Sequence, residues 1–177
     1  LKECDSRQKV FIVHRLDRDT SGLMMFAKTP EAKEAMQHNW NNMVLERKYV
    51  AVVEGNVEND EGVIRSYLGE TSAHEVFSTQ DPQQGKLAVT RYKVLARGQG
   101  RSLVEYSLDT GRKNQIRVHS HELGHPIVGD RRYGASQSPI GRLCLHARTL
   151  RFVHPQSRND MNFQLPVPAK FLKLVGK

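Results

Sequence analysis

An α+β domain built on a mixed, mainly antiparallel β-sheet with flanking helices is what this sequence predicts, and three observations predict it. Strand-like apolar segments follow one another through the middle of the chain, at residues 47–54, 63–68, 87–96 and 102–108. The last two are joined by "RGQG", a short turn that imposes antiparallel pairing. Helical spacing appears only in isolated stretches, with no recurring strand–helix–strand unit, internal repeat or low-complexity tract.

The first elements surround a charged run. Residues 11–13 and 23–28 read as short buried strands, and "HRLDRDTSG" connects them. Thr29 is a helix N-cap with Pro30 in the first helical position and Glu31 in the first turn. The helix it opens carries Ala32, Met36, Trp40 and Met43 on one face, a core stripe rather than a cofactor box.

"RKYVAVVEG" is the next strand, with Tyr49, Ala51 and Val53 on one face and Val50 and Val52 on the other. Both faces are therefore expected to be buried. After the antiparallel segments, "NQIRVHSHELG" predicts a short helix through Ile116, Ser120 and Leu123, stopped by Gly124 and Pro126. "LCLHARTLRFVHP" reads as a last strand and "PAKFLKLVG" as a closing helix. With 177 residues, the chain reads as a single domain over 1–177 with its own core.

Charge narrows the partners. Lys and Arg number 27 against 19 Asp and Glu, a net charge of +8 that favours polyanions, nucleic acid first and an anionic membrane surface second. From Arg112 to Arg151 there are eight basic residues against Glu122 and Asp130, while Glu54 to Asp81 holds seven acids against Arg65. One region should attract phosphate and the other repel it. The two cysteines, Cys4 and Cys144, are too far apart in sequence for a metal-type pair and suggest a reducing compartment. No apolar run approaches the ~20 residues of a membrane span, so a cytoplasmic protein is the expectation.

Most catalytic constellations fail on spacing. His119 and His121 would point about 200° apart on a helix. His121 and His125 are separated by the helix stop at Gly124, and no cysteine or acid completes a zinc set. There is no G-x-S-x-G elbow for a Ser/His/Asp hydrolase, and neither "GQG" nor "TGRKNQ" fits a phosphate loop. No metal and no cofactor are expected.

An acid among arginines remains. Asp17 follows an apolar strand and is flanked by Arg15 and Arg18, while "TGRKNQIRVH" offers Arg112 and Arg117 from elsewhere in the chain. A carboxylate paired with a buried guanidinium stays ionised well below neutral pH, as a nucleophile or base must. A structural ion pair in a turn, which also perturbs pKa, explains the same residues and is the more common case.

"HRLDRDTSG", "ERKYVAVVEG", "LDTGRKNQIRVHSHELGHPIVGDRRYG" and "LCLHARTLRF" resemble, in order and spacing, the motifs of RluA-family pseudouridine synthases. The resemblance runs from about residue 10 to 171 and implies a cofactor-free isomerase that detaches a uracil in RNA, turns it and rejoins it through C5. It implies Asp17 as nucleophile or base, Tyr49 as the ring stacked on the uracil, and Arg117 as the salt-bridge partner of Asp17. Arg15 corresponds to the arginine that replaces the flipped base in the RNA stack. Arg112, Lys113 and Gln115 are candidate RNA contacts by their polarity and place near the helix start.

The implied fold is a mainly antiparallel sheet crossed by a central basic cleft. A strand with a Lys-Pro-x-Gly-type motif, usual in the family before "HRLD", does not appear, so the chain is expected to lack an N-terminal segment of the domain. Ribosomal RNA is the favoured substrate, with transfer RNA or a non-catalytic RNA-binding role as alternatives, and a monomer without membrane association is expected. A hydrolase acting on nucleosides or RNA would use the acid but would also need an activated water or metal.

Overall fold

The computed structural model describes residues 9–177. Cys4, half of the cysteine argument, lies outside them. Cys144 is buried, and burial pushes its thiol up to about 11.

The chain opens with β1 (Phe11–Ile12), β2 (Ser21–Gly22) and β3 (Phe26–Ala27), then α1 (Pro30–His38) and α2 (Trp40–Met43). Next come β4 (Val44–Glu54), β5 (Glu61–Glu70), β6 (Val76–Thr79), β7 (Lys86–Gly98) and β8 (Arg101–Leu108). α3 (Gln115–Glu122), β9 (Leu145–Val153), β10 (Asp160–Gln164) and α4 (Ala169–Lys173) complete it. Eight strands form one sheet in the order β10-β9-β4-β8-β7-β5-β6, with β2 added parallel to β9 and every other pairing antiparallel. β1 and β3 make a separate antiparallel ribbon. Mixed and mainly antiparallel is the expected class. Among the described residues no helix is long and apolar enough to cross a membrane.

β4 is the centre. Val50, Ala51, Val52 and Val53 are all fully buried, so both faces of the strand are covered as its apolar run requires. They belong to a core with Tyr106, Ile116, Ile127, Leu145 and Phe171. The "RGQG" turn is a two-residue hairpin whose Gln99 and Gly100 both have positive φ, the backbone that matches strand twist. Thr29 caps α1 by accepting from the Ala32 N–H at 3.2 Å.

Local pattern misled in three places. The expected single helix from Pro30 to Met43 breaks at Asn39, whose non-helical φ of −107° separates α1 from α2. Met36 and Met43 still reach one core with Val13, Leu150 and Phe152. The strands expected at 11–13 and 23–28 shrink to two-residue pieces with exposed Ile12 and Phe26, because they pair mainly with each other at the margin of the sheet. β6 and β10 are not among the expected strands; β6 lacks alternation, whereas β10 sets Met161 and Phe163 between polar residues.

Two irregularities aim the centre of the sheet. Between β4 and β9 the register slips after the Lys48–Thr149 pair, so that Tyr49 faces Ala147 and Arg148 is the extra residue. Such a bulge bends the strand and re-aims its neighbours. Gly22 has a φ of +120°, and a Cβ there would lie 2.1 Å from the Ala147 carbonyl oxygen. Gly22→Ala is therefore expected to pull β2 off β9 and to destabilise the fold by at least about 1–3 kcal/mol, read by denaturant melts. A melt unchanged from the parent would mean that β2 does not hold the loop before it.

Candidate active site

The charged run becomes a loop anchored at both ends. At its start His14 Nε2 accepts from the Met25 N–H at 3.0 Å, which leaves the imidazole neutral. Burial, with Arg47 nearby, holds its pKa down. At its end the Thr20 N–H donates to the Asp17 carbonyl at 3.1 Å, closing a turn in which Asp19 takes the left-handed conformation that Asp tolerates. β2 then locks onto β9, and Ser21 Oγ meets His146 Nδ1 at 2.8 Å and Arg142 Nη2 at 2.8 Å. The loop is thereby fixed with Asp17 turned inward.

Asp17 lines a cavity of about 90 Å³ with Arg15, Thr20, Arg47, Tyr49, Arg112 and Ile116. It continues into a cleft of about 440 Å³ whose walls add Arg18, Lys113, Arg117 and Arg132. Tyr49 reaches the cavity from β4, and Arg47, two residues earlier, shares its face of the strand. The structure thus brings Asp17, Tyr49, Arg15 and Arg112 together. Arg15 is exposed at the mouth, and Arg112 is exposed with its Nε donating to the Leu87 carbonyl at 3.0 Å.

Arg117 does not make the expected pair. Its Nε and Nη2 donate to the two oxygens of Asp130 at 2.7 and 2.8 Å, and Nη1 donates to Asn114 Oδ1 at 3.2 Å. Its guanidinium also lies over the Tyr133 ring, 4.9 Å from the centroid. Asp130 is fully buried, so a bidentate partner fixes Arg117 before Asp17 can claim it. Among the described residues no ion pair within 4.0 Å joins Arg117 to Asp17. Its charge reaches Asp17 only through space.

Burial consequently decides the state of Asp17. Its carboxyl is pushed above the usual range by desolvation, against the opposing pull of the Asn114 backbone N–H and of Arg117, Arg15 and Lys113. The flanking arginines therefore do not hold this carboxyl below its ordinary range, because burial outweighs them. Burial also raises the Tyr49 phenol, and the Asp17 charge adds to that.

Two proposed RNA contacts are spoken for. Gln115 is buried, and its Oε1 accepts from Thr110 Oγ1 and the Arg112 N–H while its Nε2 donates to the Val89 carbonyl and Thr90 Oγ1. No capacity is left for RNA. Lys113 turns to Glu70 and to the His74 carbonyl, so its charge at the cleft wall is partly neutralised. The basic stretch is neutralised elsewhere too, since Arg132, Arg148 and Arg151 meet Glu75, Glu105 and Asp160.

The histidines have separate duties. His119 is buried between Thr90 and Ser66 hydroxyls, and His125 Nδ1 is 2.8 Å from the Glu54 carbonyl. Among the described residues no three metal-type ligands cluster.

Arg47, Thr20 and Asp130 were missed as site residues. Strand alternation from Tyr49 could have found Arg47. Thr20 Oγ1 is buried at the cavity with no hydrogen-bond partner among the described residues, which only the fold reveals. Nothing local marks Asp130.

Residues 2–122 match the sequence family described as RNA pseudouridylate synthase. The chain is 38% identical over 169 residues to an uncharacterized RNA pseudouridine synthase of Bacillus subtilis, YjbO, covering 96% of this chain and 59% of that one. It is 40% identical over 177 residues to ribosomal large subunit pseudouridine synthase D of Neisseria meningitidis, covering 93% and 47%. Among solved structures, human RNA pseudouridylate synthase domain containing 1 matches with a TM-score of 0.80 at 28% identity, over 94% of this chain and 72% of the other. The chain spans roughly half of the length of the curated relatives it matches, 47–59% for these two.

Proposed function

The chain belongs to the RNA pseudouridylate synthase family, and from that membership we propose that it isomerises uridines in structured ribosomal RNA to pseudouridine, with Asp17 as the reacting carboxylate. One observation carries the assignment. Asp130, Glu105 and Asp160 are each tied to an arginine, whereas Asp17 has no ion-pair partner among the described residues and sits in a cavity with Tyr49. An ordered, partly desolvated carboxylate without an ion-pair partner among the described residues is left for a substrate.

The reaction breaks the bond from uracil N1 to C1′, turns the base and forms a bond from C5 to C1′. The C5 proton is lost and N1 gains one, so the product is an isomer. Asp17 can attack C1′, add to C6 or take the proton at C2′, and each route needs its ionised form. A uracil in folded RNA must first be extruded, at roughly a few kcal/mol. Arg15, planar, cationic and exposed at the mouth, suits the vacated stack, and Tyr49 offers the extruded base a ring. Ribosomal RNA as substrate rests on the relatives named large-subunit synthases.

Mapping pseudouridines in total RNA from cells with and without the gene tests the proposal, supported by tritium release from C5-labelled RNA. A ribosomal site lost on deletion is the expected result. No lost site and no tritium release would overturn it.

The cleft also sets a salt dependence. Arg15, Arg18, Arg112, Arg131 and Arg142 line the connected cavities and have no carboxylate partner among the described residues. If four or five of them meet phosphates of unpaired RNA, the logarithm of affinity should fall against the logarithm of salt with a slope of about −3 to −4. A slope near zero would remove this cleft as the RNA path.

A further inference from the structure

Arg47 stands apart from the chain's other partly buried arginines. Arg101 donates to Gln137 Oε1 and the Leu174 carbonyl, Arg117 is held by Asp130, and Arg148 by Glu105 and the Leu165 carbonyl. Arg47 is half-buried, and its side chain makes no hydrogen bond or ion pair to any described residue. A guanidinium carries five donors, and leaving a desolvated one without acceptors is costly. Burial accordingly lowers its pKa, against the opposing pull of Tyr49.

Its surroundings hold it without satisfying it. The guanidinium carbon lies 5.7 Å from the centroid of the Trp40 ring, and Trp40 in turn packs against His14 with ring centroids 5.3 Å apart. On the loop after β8, Gly111 provides the space: a Cβ there would come 2.5 Å from Arg47 Nη1 and within 3.5 Å of Nη2. Gly111 is not in the left-handed region, so its backbone does not demand glycine. A side chain there would instead push the Arg47 guanidinium aside. An aromatic ring and a bare stretch of backbone position a planar cation at the cavity of Asp17 and Tyr49 and leave its donors open.

We infer that Arg47 binds the phosphate of the nucleotide whose base enters that cavity, acting as a positioning residue and not in the bond changes. The inference rests on the reading of the cavity as a uridine site. A phosphate presents the acceptors a guanidinium fork lacks here. Arg15 and Arg112 are exposed and free to follow the RNA, whereas Arg47 is immobilised beside the reacting nucleotide. Gly111 in the "DTGR" motif then serves to keep the fork in place.

The probes are uridine, uridine 5′-monophosphate and uridine 3′-monophosphate, titrated into the full chain while the Arg47 Nε–H and Tyr49 signals are followed by nuclear magnetic resonance. One monophosphate should shift the Arg47 signal and bind at least tenfold tighter than uridine. That advantage should disappear in Arg47→Ala. Gly111→Ala, which displaces the guanidinium without straining the backbone, should reduce the advantage in the parent and add nothing in the Arg47→Ala background. An advantage retained in Arg47→Ala, or nucleotides that move Tyr49 while the Arg47 signal stays, overturns the inference and leaves the uridine cavity standing. If no probe moves either signal, the cavity reading fails with it, while pseudouridine mapping reports separately on the activity.

Discussion

Asp17→Asn is expected to fold, to resist denaturation at neutral pH at least as well as the parent, and to form no pseudouridine above background, a loss of at least about 10³-fold. The two effects share one cause. Burial raises the Asp17 carboxyl pKa in the folded chain above that of the unfolded chain, so the folded state holds the proton more tightly. Above the folded pKa the residue is ionised in both states, and the desolvated charge costs about 1.4 kcal/mol for each unit of the shift. Asn carries no such cost.

The stability gain of the variant should therefore be complete at neutral pH and shrink as pH falls through the folded pKa towards the ordinary value near 4. Parent turnover should fall over the same acid range, as the carboxylate required for reaction takes up its proton. Urea melts at several pH values and C5 tritium release with matched RNA-binding curves measure both. A folded Asn variant turning over within a few-fold of the parent would falsify the catalytic role. A variant that binds RNA normally, reacts not at all and is less stable at neutral pH would show that Asp17 is stabilised by an ion pair after all.

Much of this was legible because the signals are local. The cap at Thr29, the alternation of Tyr49 to Val53 and the hairpin at Gln99 and Gly100 each depend on a few neighbouring residues, and each forms. The charged loop was legible as unusual for the same reason. What failed depends on contacts distant in sequence. Nothing near Gln115 shows that Val89, Thr90 and Thr110 will exhaust its amide, and nothing near Lys113 shows that Glu70 will be opposite. The acidic stretch that looked repulsive to phosphate instead neutralises part of the basic one, through Glu70 and Glu75. Charge counted along a chain therefore overstated the basic surface. The candidate residues come from motif, and packing reassigns the partners of Arg117, Gln115 and Lys113 among them.

Asp130→Asn is expected to cost about 3–5 kcal/mol, because it leaves a largely buried guanidinium without its carboxylate. For a chain of this size that is a fall in melting temperature of roughly 6–20 °C. The Arg117 side chain would keep Asn114 Oδ1, the face of Tyr133 and at most one neutral amide oxygen at position 130. Removing a negative charge also leaves the Arg117 charge uncompensated towards Asp17, so the Asp17 pKa should drop and the acid limb of turnover should move to lower pH. Arg117→Met should destabilise by a similar amount and move that limb the opposite way, since it takes away a cation that favours ionised Asp17. Joining the two substitutions should cost far less than their sum, the mark of one shared ion pair. Were Arg117 instead held by Asp17, Asp130→Asn would be nearly neutral in a thermal melt. The coupling to Arg117→Met would then appear with Asp17→Asn. Comparing the two double-mutant cycles decides which carboxylate owns the arginine, and with it whether Asp17 meets its substrate as a paired ion or as the unpaired acid that the packing describes.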